Sequence, residues 1–308
     1  MARMNQTVKE VLQIVIFLAV VGLLLAIFLI LPLNRTKTAL ARPDVDDYNA
    51  DSLPVNDPTL FVEAGLTVDT FRIDADGMTS LAGMIVHPTL GTDSLPRTPR
   101  GSVALLHDER TDRASMLPLT RTLADSGFLV CVYDRRASGL SSGAYHGDGQ
   151  LESTDLGEVL AYLAVRDDII HPFVLVGFSS GADAALLRAR EESRVDAVVA
   201  VDPYLTTDRW VNTLMAEHHM FWLPLSHYMF TFWYEMRSNY TIQNRGDDDI
   251  MGVTHPTLLL VSGAHQDDPE MKLLAERSEG NLLTVETRPT DGPQLTETIA
   301  RFVLLQLK

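Results

Sequence analysis

The 308-residue chain has a single cysteine, Cys131, inside an apolar run. It therefore forms no internal disulfide, and its redox compartment is unmarked. Basic residues are scarce: 25 Lys and Arg stand against 41 Asp and Glu, a formal net charge of -16. Phosphate binding needs clustered Lys and Arg, so nucleic acid is not an expected partner. The chain has no Walker A motif and no G-x-G-x-x-G between a strand and a helix, so a nucleotide site has no support. His218, His219 and His227 stand without a matching carboxylate or cysteine pattern, and adjacent histidines on a helix point to different sides. No metal and no cofactor is expected. Internal repeats and low-complexity tracts are absent. The run Asp247-Asp248-Asp249 reads as a solvated loop.

What is present begins at the N-terminus. Val11 to Leu33 is a run of 23 residues without a charge. At about 1.5 Å per residue it can cross a hydrocarbon core of about 30 Å. The apolar region of a secretory signal is usually only about 7–15 residues. An Ala39-Leu40-Ala41 triplet resembles a cleavage site but lies past Arg35 and Lys37, which is unfavourable for cleavage. Residues 11–33 are thus expected to form an uncleaved membrane anchor. The usual arrangement puts residues 1–10 in the cytoplasm and the domain outside, in the periplasm.

Residues 34–60 are polar, with three prolines and several aspartates, and read as a linker. From 61 to 308 the pattern is that of one α/β domain. Residues 66–73 and 81–87 flank Asp76-Gly77 as a hairpin. Apolar strands at 102–107, 128–134, 173–177, 195–202, 256–263 and 281–287 then alternate with helices at 113–126, 153–165, 180–190, 269–279 and 293–307. Such alternation predicts a mostly parallel sheet with helices on both faces. Residues of about 203–252 break the rhythm and are expected to form a small cap insertion. Within it, 218–236 holds seven aromatics and three histidines, a stretch suited to a protein partner, to lipid, to roofing a pocket or to packing on the sheet.

Gly177-Phe178-Ser179-Ser180-Gly181 fits G-x-S-x-G. An apolar strand enters it, and a helix with Ala182, Ala185, Leu186 and Ala189 on one face leaves it. That context marks the strained turn that lifts a serine above a sheet. With this elbow, the Asp134, Arg136, Gly139 and Ser141 of VYDRRASGLSSG and the entry hairpin, the chain resembles the α/β-hydrolase superfamily over roughly residues 57–308. It looks most like bacterial membrane-anchored proteins of the serine-hydrolase (esterase or lipase) type.

The resemblance implies Ser179 as nucleophile, an acid after the strand that follows the cap, and a histidine after the last strand. The family spacing Gly-x-x-Asp, counted from Gly263, lands on Gln266. Asp267 is the acid candidate one residue late, and Asp202 the alternative. The last 43 residues contain no histidine. His265 and His107 are the candidate substitute bases. The oxyanion loop would comprise His107, Asp108 and Ser180, with His107-Asp108 standing where the family has His-Gly and Glu109 following. Two readings remain open. One is a catalytically degenerate binding or scaffold subunit of a membrane assembly. The other is an active serine hydrolase of the esterase, lipase or peptidase type with a relocated histidine base.

Overall fold

A computed structural model describes residues 6–40, 59–89, 98–220, 226–238, 255–263 and 282–307. The described residues fall into two compact units: Met1–Leu40 with Thr207–Asn244, and Ala41–Thr206 with Arg245–Lys308.

The second unit is built on an eight-stranded sheet. Its strands are β1 (Val68–Asp74), β2 (Ser80–Val86), β3 (Ser102–Leu106), β4 (Leu129–Tyr133), β5 (Phe173–Phe178), β6 (Ala197–Val201), β7 (Thr257–Val261) and β8 (Leu283–Thr287). The order is β1-β2-β4-β3-β5-β6-β7-β8. β1 and β2 pair as the expected antiparallel hairpin, β2 runs antiparallel to β4, and every other neighbour is parallel. The central strands β3 to β7 are buried throughout, apart from the partly exposed Phe178 at the end of β5. This explains why their sequences are continuous Val/Leu/Ala runs rather than alternating ones.

Helices cover both faces. On one face α5 (Gln150–Ala164) and α6 (Ser180–Glu191) bury Leu156, Val159, Ala182, Ala185 and Leu186 against the sheet. On the other, α3 (Thr59–Glu63), α4 (Leu117–Asp125) and α9 (Gly292–Leu305) bury Phe61, Leu119, Leu123, Ile299 and Val303. α4 follows a 3-10 turn at Arg113–Met116, which is capped by the Asp112 side chain accepting from Ala114 N at 2.8 Å. The helix expected at 269–279 lies outside the described residues.

The first unit holds α1 (Gln6–Leu25), which runs through a π-helical turn at Ala26–Ile30 into α2 (Leu31–Leu40), together with α7 (Thr207–Glu217) and α8 (Ser226–Ser238). Among the described residues, the helix Val8–Lys37 is the one long and apolar enough to cross a membrane. α7 and α8 are the described parts of the insertion between β6 and β7. α7 buries Trp210 edge-on to Phe230 and Tyr234 of α8.

Candidate active site

Ser179 stands between the end of β5 and the start of α6, with φ 54° and ψ -125°. A non-glycine residue held there costs about 1–3 kcal/mol and persists only when its surroundings fix it. They do so here. Ser179 N–H donates to Val201 O at 2.8 Å, and its carbonyl accepts from Ala182 N at 2.9 Å. A Cβ on Gly177 would stand 2.2 Å from Gly181 O, and one on Gly181 would stand 2.6 Å from His107 O. Both glycines are therefore required by close backbone approach, which is the physical content of G-x-S-x-G.

Beside this turn lies a carboxylate. β3 and β5 are parallel neighbours with Leu106 opposite Gly177, so the loop after β3 emerges next to the elbow. From that loop Glu109 reaches both serines. Its Oε1 accepts from Ser179 Oγ at 3.4 Å and from the Tyr204 hydroxyl at 2.5 Å. Its Oε2 accepts from Ser180 Oγ at 2.8 Å and lies 3.4 Å from Ser180 N. Arg135, fully buried, donates from Nη1 to Ser180 Oγ at 2.9 Å. Tyr204 is aimed by Asp183, whose carboxylate accepts from Tyr204 N at 2.9 Å and Leu205 N at 2.8 Å. Burial pushes the Glu109 carboxyl upward, but the Arg135 guanidinium and the Tyr204 and Ser180 hydroxyls outweigh it and hold its pKa below the usual value. Glu109 is thus a stable anion, and a weak base.

The two histidines near the elbow are otherwise engaged. His107 is fully buried. Its Nδ1–H donates to Asp108 O at 2.6 Å and its Nε2 accepts from Arg135 N–H at 3.0 Å, bonds that assign the tautomer. The lone pair a base would use is therefore occupied. Burial first, then Arg135, push its pKa well below the usual value, so the ring stays neutral. Asp108 turns back on its own loop, accepting from Arg110 N at 2.7 Å, and burial and the Glu109 charge raise its carboxyl. His146 is buried with no hydrogen-bond partner on either ring nitrogen among the described residues. Burial and Arg135 push it down to about 4.

Asp267 and His265 lie outside the described residues. Asp202 follows β6 with φ 48°. Its Oδ1 accepts from Ser262 N at 2.6 Å, and its Oδ2 lies 2.8 Å from Arg288 Nε. That N–H is aimed off the oxygen, so the contact is a charge pair rather than a linear hydrogen bond. Arg288 follows β8 directly, near where the family resemblance placed a histidine. A guanidinium is permanently protonated and takes no proton from a serine. Among the described residues, the side-chain partner of Ser179 Oγ is Glu109, and no histidine bonds to it. A cavity of about 910 Å³ between α4 and α9, lined by Met116, Leu119, Leu295 and Leu304, does not include Ser179.

Ser179, Ser180, His107 and Asp108 are thus brought together at one end of the sheet. Glu109 as a direct partner, Arg135, Tyr204 and Arg288 went unread in the sequence. Only Glu109 carried a signal, as a second acid at the oxyanion loop.

No family model matches the sequence, and no curated protein matches it. Solved structures do. An esterase of Pyrococcus furiosus superposes with a TM-score of 0.64 at 18% identity, over 82% of this chain and 96% of that one. An α/β hydrolase of Vibrio vulnificus gives 0.56 at 16% identity, over 87% and 88%. The α/β hydrolase GrgF of a Penicillium species gives 0.53 at 14% identity, over 79% and 99%.

Proposed function

We propose, on the premise that the chain has the α/β-hydrolase fold, that it is a catalytically degenerate member of that fold, held at a membrane as a binding or scaffold subunit. One observation carries the reading. Glu109 accepts from the Ser179 hydroxyl and lies against the Ser180 amide, so a carboxylate stands where hydrolysis needs a base on one atom and an oxyanion on the other. An oxyanion hole stabilises developing negative charge with donors left open for it. Here the amide that follows the serine already faces a full negative charge.

The Arg288–Asp202 pair supports the same reading, because it joins an acid candidate to a group that cannot shuttle protons. Residues 11–33 serve as the anchor, with the N-terminus in the cytoplasm and the hydrolase unit outside.

The second reading, an active ester or amide hydrolase, draws on the strained elbow, whose geometry is what a nucleophile needs. Its base would be His265, with Asp267 or Asp202 as acid. A fluorophosphonate probe applied to the detergent-solubilised full chain, with Ser179→Ala as control, separates the two. The expected result is no Ser179-dependent labelling and no hydrolysis of short-chain esters. Labelling that disappears in Ser179→Ala overturns the degenerate reading.

A further inference from the structure

α8 is apolar on two opposite sides. On one side Phe230 and Tyr234 are fully buried, packed edge-on to Trp210 of α7. On the other, Tyr228, Phe232 and Met236 are 71%, 47% and 65% exposed. Their spacing of four residues stacks them into one stripe along the helix. Glu235, half-buried and already engaged by a partner, borders it. A helix that is apolar all round needs a second apolar medium.

The position of α8 says which medium. α8 packs against α2, within the same compact unit. α2 carries the end of the charge-free run at Leu33 and then Arg35 and Lys37. Cationic residues at the end of a span mark the headgroup level, where Tyr and Trp also concentrate. The rest of the same helix is largely exposed and apolar from Val11 to Ile30, with Val21, Ala26, Ile27 and Phe28 partly covered. The exposed stripe is thus on a helix packed against the end of an apolar span.

We propose that α8 is an interfacial helix, lying in the headgroup region beside the end of the anchor with Tyr228, Phe232 and Met236 pressed into the acyl boundary. This rests on reading residues 11–33 as a membrane anchor. With a net charge of -16 the protein gains nothing from anionic lipid. The contact is carried by apolar burial and is insensitive to salt and to lipid charge.

The test uses the full chain reconstituted in phosphatidylcholine vesicles, with an environment-sensitive fluorophore on Phe232→Cys, Tyr228→Cys, Phe17→Cys or Val165→Cys. Native Cys131 is fully buried and leaves the labels single. Labels at 228 and 232 are expected to lose half or more of their emission to lipid carrying a nitroxide near the headgroup, and little to aqueous iodide. The label at 165, on an 81% exposed residue of the hydrolase unit, shows the reverse. The label at 17 is quenched by nitroxide deep in the chains. Iodide quenching at 228 and 232 without lipid quenching overturns the proposal, and so does protection from both quenchers, which means a protein covers the stripe. A label at 17 that escapes both nitroxide lipids refutes the anchor itself. Quenching at 17 without quenching at 228 and 232 refutes the interfacial helix alone.

Discussion

Glu109→Gln keeps the shape of the side chain and removes its charge. In the wild type the carboxylate accepts from Tyr204 at 2.5 Å and Ser180 Oγ at 2.8 Å, with weaker contacts of 3.4 Å to Ser179 Oγ and Ser180 N, and it offsets the buried Arg135. A hydrogen bond to a charged group contributes about 1.5–3 kcal/mol, against about 1 for a neutral one. The amide retains one accepting oxygen, so one of the two short bonds loses about half its strength and the other loses its acceptor. The sum is about 3 kcal/mol. For a domain of about 150–250 residues each kcal/mol moves Tm by about 2–4 °C. The thermal transition of the sheet-bearing unit is thus expected to fall by roughly 6–12 °C at pH 7. Its pH dependence has a definite sign. The folded-state pKa of Glu109 lies below its unfolded value of 4.5, so the contribution is present above that pH and is lost as pH falls through the folded pKa. The gap between wild type and Glu109→Gln therefore closes below about pH 4.5. A variant melting within about 1 °C of wild type at pH 7 would show that the carboxylate does not bond inside the elbow, and the main argument for degeneracy goes with it.

Ser179→Gly relieves a backbone strain of about 1–3 kcal/mol at φ 54° against a glycine entropy cost of about 0.5–1 kcal/mol, so it is expected to raise the midpoint in urea unfolding; a lower midpoint refutes the strain. Gly177→Ala places a Cβ 2.2 Å from a backbone oxygen that cannot swing away, and is expected to cost about 3 kcal/mol or more, read as loss of folded protein or of the cooperative transition. His146 is held down to about 4 in the folded chain, against an ordinary value of 6.5. Folded protein thus binds fewer protons than unfolded between those values, and up to about 3 kcal/mol of stability present above pH 6.5 is lost as pH falls towards 4. His146→Phe should flatten that slope, and an unchanged slope assigns it to other groups. Arg288→Ala removes a partly exposed ion pair with Asp202, so it is expected to cost about 0.2–1 kcal/mol and to matter less in high salt. A loss above about 2 kcal/mol would contradict that.

Much of the molecule is legible along the chain. The continuous runs of β3 to β7 spell buried parallel strands because both faces are covered. The hairpin of β1 and β2 follows from Asp76-Gly77, and the elbow follows from two glycines with no room for a Cβ. Each of these leaves a local mark in the sequence, although the atom that bars a Cβ on Gly181 is His107 O, 74 residues away. The contacts that decide chemistry at Ser179 are of a different kind. Glu109 and Ser179 are 70 residues apart in sequence, and the pattern that puts Glu109 at the oxyanion loop does not say that its carboxylate takes the serine hydroxyl.

The sequence alone determined the sheet, the strained serine, the apolar span and the absence of histidine after His265, because periodicity, glycine sterics and composition act locally. Only the tertiary structure decided what meets what. Parallel register is the physical reason. Leu106 pairs with Gly177, so the loops that follow them open side by side and Glu109 falls on the elbow. Val201 pairs with Leu260 and Val261 with Thr287, so Asp202, Ser262 and Arg288 leave their strands together and the acid meets an arginine. Which carboxylate reaches the serine, and which cation reaches the acid, is fixed by strand order, and strand order is written in no single stretch of the chain.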